Sequence, residues 1–117
     1  MALHDPPRIT VNLLKVFRVL LEDPTAEYYG LEVGRAAGLS GGSLYPMLLR
    51  LEQAGVLVSA WEDVDPSDAG RPRRRVYRFS TAGAEYARRT LREAQQSLTS
   101  PGWGSIPGFP ASGGASA

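Results

Sequence analysis

Apolar positions recur along the chain with two periods, and the changes of period divide it into elements. Leu13, Val16, Phe17, Leu20 and Leu21 form one helical stripe, which predicts a first helix over about residues 10–22. Thr10 is its expected N-cap, and Asp23-Pro24 stops it, because the residue before proline avoids helical geometry. A second, short helix is predicted over residues 28–37, burying Leu31 and Ala36, with Gly38 in the positive-φ position past its end. Ser40 is the expected cap of a third helix over residues 42–54. Leu44, Met47, Leu48 and Leu51 make its inward stripe. Ser43, Pro46, Arg50 and Gln53 fall on the other side, with Tyr45 at the flank.

The period then shortens. Residues 56–62 are rich in β-formers, and in residues 75–80 Tyr77 and Phe79 alternate with Val76 and Arg78. The turn-rich segment Asp65-Pro66-Ser67-Asp68-Ala69-Gly70 joins them, so the pair reads as a β-hairpin. Thr81 is the expected cap of a fourth helix over residues 82–98, in which Ala84, Ala87, Leu91, Ala94 and Leu98 repeat in heptad-like steps. That stripe suits a dimer seam or, alternatively, the face that packs on its own domain. From residue 100 onward glycine, proline, serine and alanine dominate, and Trp103, Ile106 and Phe109 are the large apolar residues there. This composition predicts a flexible tail.

The expected organisation is a loose arm at residues 1–9, a winged helix-turn-helix at 10–80, a dimerisation helix at 81–99 and the tail at 100–117. The fold class is mainly α with a β-hairpin. A chain of 117 residues fits one domain.

Composition narrows the chemistry. There is no cysteine, which excludes disulfides, thiolate metal sites, iron–sulfur clusters and cysteine nucleophiles. The lone histidine, His4, has no carboxylate cluster at ligand spacing, so neither a metal nor another cofactor is expected. The longest apolar stretch, residues 16–21, is interrupted by Arg18, so no segment is expected to span a membrane. No signal peptide is apparent, and a cytoplasmic location is expected.

A net charge of +1 favours no partner, but its distribution does. Residues 62–68 carry Glu62, Asp63, Asp65 and Asp68 without a base. Residues 71–78 carry Arg71, Arg73, Arg74, Arg75 and Arg78 without an acid. A basic block of this density suits phosphate binding, against the plainer reading of a solvated charged loop. The acidic tip would repel phosphate, so contacts are expected from the return strand. Arg78 lies in the strand, and pairing with Glu62 is its alternative to a phosphate contact.

Two short helices joined by a tight turn, then a basic hairpin, suit a helix-turn-helix with a wing. The expected partner is double-stranded DNA; the alternative is a winged-helix module that binds protein without DNA. Gly38-Leu39-Ser40-Gly41-Gly42 matches the spacing of a hydrolase nucleophile elbow, but that motif needs a preceding strand and a histidine base. The phosphate-binding G-x-x-x-x-G-K-[ST] signature is absent. No enzymatic activity is expected.

Three segments then carry a resemblance: Tyr29-Gly30-Leu31-Glu32; residues 38–46 with Leu44-Tyr45-Pro46; and Leu51-Glu52-Gln53-Ala54-Gly55-Val56-Leu57. The wing and its exit, Gly70-Arg71-Pro72 through Ser80-Thr81-Ala82-Gly83, carry it too. Over about residues 10–95 the chain resembles the PadR family of transcriptional regulators, in its branch with a short C-terminal part. The resemblance implies a DNA-binding homodimer that represses transcription from a pseudo-palindromic operator, with release by a small-molecule effector or another signal. At matching positions it suggests Ser43, Tyr45 and Arg50 as helix contacts to bases or phosphates. Arg71, Arg73, Arg74 and Arg75 would contact phosphates from the wing. Ala84, Ala87, Leu91, Ala94 and Leu98 would form the dimer interface.

Overall fold

A computed structural model describes residues 3–99. Eight elements follow in order: α1 (Val11–Leu20), β1 (Tyr28–Tyr29), α2 (Gly30–Ala37), α3 (Gly41–Gln53), β2 (Leu57–Trp61), α4 (Pro66–Ala69), β3 (Arg75–Phe79) and α5 (Thr81–Thr99). The strands form one antiparallel sheet in the order β1-β3-β2. The fold is a winged helix-turn-helix: α2 and α3 are the two helices of the motif, and β2, α4 and β3 make the wing.

α1 begins where Thr10, in extended backbone, accepts a hydrogen bond from the Leu13 amide at 3.1 Å. Its inward stripe places Phe17 at the centre of the core. The Phe17 ring meets Phe79 at 6.2 Å and Tyr86 of α5 edge-on at 6.0 Å. Leu44, Leu48 and Leu51 of α3 enter the same core as expected, and Met47 packs at its margin.

The second predicted helix is corrected twice. Tyr28 and Tyr29 are a strand, paired with Tyr77 and Val76, and the helix starts only at Gly30. The Tyr29 amide is taken by Glu32 Oε1 at 2.7 Å, which fixes that start. Leu31 and Ala36 are exposed; the inward face is Gly30, Val33, Gly34 and Ala37. The reason is close packing: a Cβ on Gly34 would lie 2.9 Å from Leu44 Cδ2, so the helices of the motif meet through their smallest residues. Gly38 then turns the chain at φ 71°, as its position predicted.

Ser40 stands at the N-cap of α3 without a side-chain capping bond. The cap of α5 is also shifted from the expected Thr81: Ser80 Oγ accepts from the Gly83 amide at 2.9 Å and donates to the Gly55 carbonyl at 2.6 Å. The arm is held where a loose segment was expected, because the His4 amide donates to the Ala54 carbonyl at 2.9 Å and Leu3 packs on the core. Residues 100–117, with Trp103, Ile106 and Phe109, lie outside the described residues.

Candidate nucleic-acid interface

Successive residues of a helix step round its axis by about 100°. With Leu44, Leu48 and Leu51 inside, the outermost ridge of α3 is therefore Gly42, Pro46, Leu49 and Gln53, all exposed. Ser43 and Arg50 line one edge of this ridge and Tyr45 the other, and these too are exposed. The Tyr45 ring rests on α2: a Cβ on Gly30 would come within 2.9 Å of its Cε1, yet 47% of the residue faces solvent.

The wing is braced against α3. Arg75 lies opposite Trp61 in the β2–β3 ladder, and its guanidinium stacks 5.2 Å from the Trp61 ring centre. Its Nε donates to Ser59 Oγ at 3.0 Å and its Nη2 stands 3.5 Å from Glu52 Oε1. Ser59 Oγ also donates to Glu52 Oε1. Glu52, on the last turn of α3, thus ties the helix to both strands of the hairpin. Arg74 turns the other way and lies 5.3 Å over the Tyr29 ring, while Arg73 Nε donates to the Val64 carbonyl at 2.8 Å. All three arginines remain exposed.

Arg71 stands apart from them. Both of its terminal nitrogens hydrogen-bond the carboxylate of Glu62, which is only 8% exposed. Glu62 also accepts from the Tyr29 hydroxyl at 2.8 Å and from the Arg74 amide at 2.9 Å. Arg71 therefore closes the loop end of the hairpin instead of facing outward with the others. Arg78, the alternative partner, lies opposite Val58. Four residues of strand, about 13 Å, separate that level from Glu62. Arg78 instead lines a cleft with Glu85 and Arg88.

The Arg71 hydrogen bonds, aided by those from Tyr29 and Arg74, hold the Glu62 carboxyl at about 2 against an ordinary 4.5, although its burial pulls the other way. The Tyr29 hydroxyl, donating to that carboxylate, is raised above its usual value. Because the folded value is depressed, Glu62 contributes stability above its unfolded value and loses it as pH falls through about 2. Thermal melts should show Glu62→Gln less stable than the parent at neutral pH. That gap should narrow as the medium is acidified from about pH 5 toward pH 2. A constant gap would mean that the charge of Glu62 does not brace the wing.

The stripe of α5 divides in two. Ala84 and Ala87 are buried in the core of their own chain, which leaves them no surface to offer a partner. Leu91 and Ala94 are half-buried and Leu98 is exposed. With Val11 and Leu14 of α1 these three line an open apolar groove of about 540 Å³.

Leu49, Glu52 and Trp61 are surface features that reading the sequence passed over. Leu49 had a signal: Leu48 and Leu49 are adjacent, so both cannot lie on one inward stripe. Glu52 and Trp61 had none, since their partners depend on strand register. Ser40, the serine of the elbow-like glycine run, sits between two helices, where a nucleophile elbow needs a strand before it. Among the described residues no group of three histidine, cysteine or acidic side chains is placed to hold a metal ion. None of the described helices is long and apolar enough to cross a membrane.

A helix-turn-helix braced to a basic wing defines the class of winged-helix transcriptional regulators. The profile of the transcriptional regulator PadR-like family matches residues 24–89, and the chain belongs to that family. None of the curated proteins compared matches the chain significantly. Among solved structures, the chain is similar to the PcaV transcriptional regulator from Streptomyces coelicolor, solved with its natural ligand: 21% identity, TM-score 0.59, covering 82% of this chain and 62% of that one. A transcriptional regulator homologue from Pyrococcus horikoshii OT3 gives 20% identity and TM-score 0.59 over 75% of this chain and 79% of its own. A transcriptional regulator from Clostridium thermocellum gives 21% and 0.58, over 75% and 85%. At these identities the likeness is one of fold, and this chain spans less than two thirds of the PcaV length.

Proposed function

We propose that this protein is a sequence-specific DNA-binding repressor, acting in the cytoplasm as a homodimer on a pseudo-palindromic operator. The observation that carries the reading is the Glu52–Ser59–Arg75 brace, which holds the exposed ridge of α3 and the wing arginines in one rigid unit. α3 enters the major groove, where Ser43, Tyr45 and Arg50 meet bases or phosphates. Arg73, Arg74 and Arg75 neutralise phosphates beside it, adding affinity without sequence choice. Arg71 supports them through Glu62. Gel-shift titration on duplexes selected from a random pool tests this at two salt concentrations. Affinity should fall steeply with salt, and absence of any shift at micromolar protein would leave the winged helix as a protein-binding module.

The homodimer is proposed through the groove of α1 and α5. Pairing there covers Leu91, Ala94 and Leu98 and sets two copies of α3 about one turn of DNA apart, roughly 34 Å. Leu91→Glu should therefore sediment as a monomer and lose operator affinity, and a variant that still sediments as a dimer moves the interface elsewhere. A small-molecule effector would act by changing the separation of the two wings. PcaV, which shares the fold, was solved with its natural ligand.

A further inference from the structure

We propose that Leu49, with Pro46 beside it, reads thymine in the major groove through the 5-methyl group of the base. The inference rests on the DNA-binding reading above and names what the helix recognises. Leu49 is 53% exposed, and a single exposed leucine signifies nothing by itself. Its place is what matters: it sits on the ridge of α3 furthest from the core, where a groove-bound helix comes nearest the base edges. The neighbouring ridge positions in the preceding turns are Pro46 and Gly42, and neither side chain donates or accepts a hydrogen bond. Along the ridge's edges the one cation is Arg50, so bidentate reading of guanine is available at a single position of this helix.

The apolar part of the ridge, Pro46 and Leu49, lies between cations and has a definite complement in duplex DNA. Arg50 at its side and Arg75 on the braced wing match phosphates, and between the phosphate rows the thymine methyl is the apolar group on a major-groove base edge. Burying Leu49 against that methyl removes apolar surface from water on both partners. The wrong base leaves a polar edge facing Leu49 without a partner, which adds discrimination.

The test starts from the duplex that the full chain selects from a random pool. Each thymine is replaced in turn by deoxyuridine, which lacks only the methyl, and affinity is read by fluorescence anisotropy at fixed salt. One or two positions per half-site should weaken binding by about fourfold each, the value for one buried methyl-sized group. Leu49→Ala should bind more weakly and respond to those same replacements no longer. Equal affinity for the thymine duplex and a fully deoxyuridine-substituted one overturns the inference while leaving DNA binding intact. So does a Leu49→Ala protein that stays fully sensitive to them. If the pool yields no bound duplex, the DNA-binding reading falls with it, and the ridge belongs to a protein contact.

Discussion

Replacing Gly83 by alanine should destabilise the protein by at least about 3 kcal/mol, the upper part of the range for overpacked cores. A Cβ built there lies 1.9 Å from the Val56 carbonyl oxygen and 2.7 Å from its carbon. These are backbone atoms, and they are held from several sides. The Val56 amide donates to the Leu51 carbonyl at 2.9 Å, and the Ser80 amide donates to the Val56 carbonyl at 3.1 Å. Ser80 Oγ meanwhile links the Gly83 amide to the Gly55 carbonyl. Neither side can retreat alone. Relief of the clash lifts the start of α5, which draws Ala84 and Ala87 from the core and Tyr86 off Phe17. For a domain of this size the melting temperature should fall by roughly 12–24 °C. Ala82→Gly, one residue earlier in the first turn of α5, is the control, because a glycine costs at most about 1 kcal/mol there, the value for a helix interior. A Gly83→Ala protein that melts no lower than that control would show the Val56 approach to be soft.

Much of this architecture is legible in the chain because single periods run through it unbroken. The α1 stripe, the inward leucines of α3 and the alternation at Tyr77 and Phe79 each report a face that one core buries. The misreadings have a shared cause. The inward face of α2 is built from Gly30, Val33, Gly34 and Ala37, so a search for large apolar residues finds Leu31 instead. Its two tyrosines continue a helical pattern locally and become strand only because β3 is there to pair with them. The charges of the candidate site are visible in the sequence, but their partners are not. Whether Glu62 meets Arg71 or Arg78 is decided by the register of the hairpin, and the Glu52–Arg75 contact by the packing of α3 on β2. The same limit applies to Leu49. Its solvent-facing position follows from helical geometry once the inward stripe is assigned, while its apolar character argues for the core until that step is taken.

The structure also divides the wing arginines by their partners within the chain, and on the proposed DNA-binding reading this sets the second large expected effect. Alanine at Arg73, Arg74 and Arg75 together should weaken DNA binding for every sequence alike, on the order of a hundredfold at low salt. The slope of log affinity against log salt should become shallower by about 2.7 per protomer if each of the three neutralises one phosphate. Their contacts within the chain, to Val64, Tyr29, Trp61 and Ser59, fix the guanidinium positions without neutralising them, and among the described residues only Arg75 of the three has a carboxylate at ion-pair distance. Arg71 differs in kind, since its charge is spent on Glu62. Arg71→Ala should therefore lower the melting temperature at neutral pH and leave the salt slope near that of the parent. Arg75→Ala should do some of both, because it removes a proposed phosphate contact and unties Glu52 and Ser59. Measuring salt slope and melting temperature on the same set of variants separates these roles. A triple variant with unchanged slope would remove the wing from the DNA contact, and an Arg71→Ala protein whose slope falls by about 0.9 would return that residue to it.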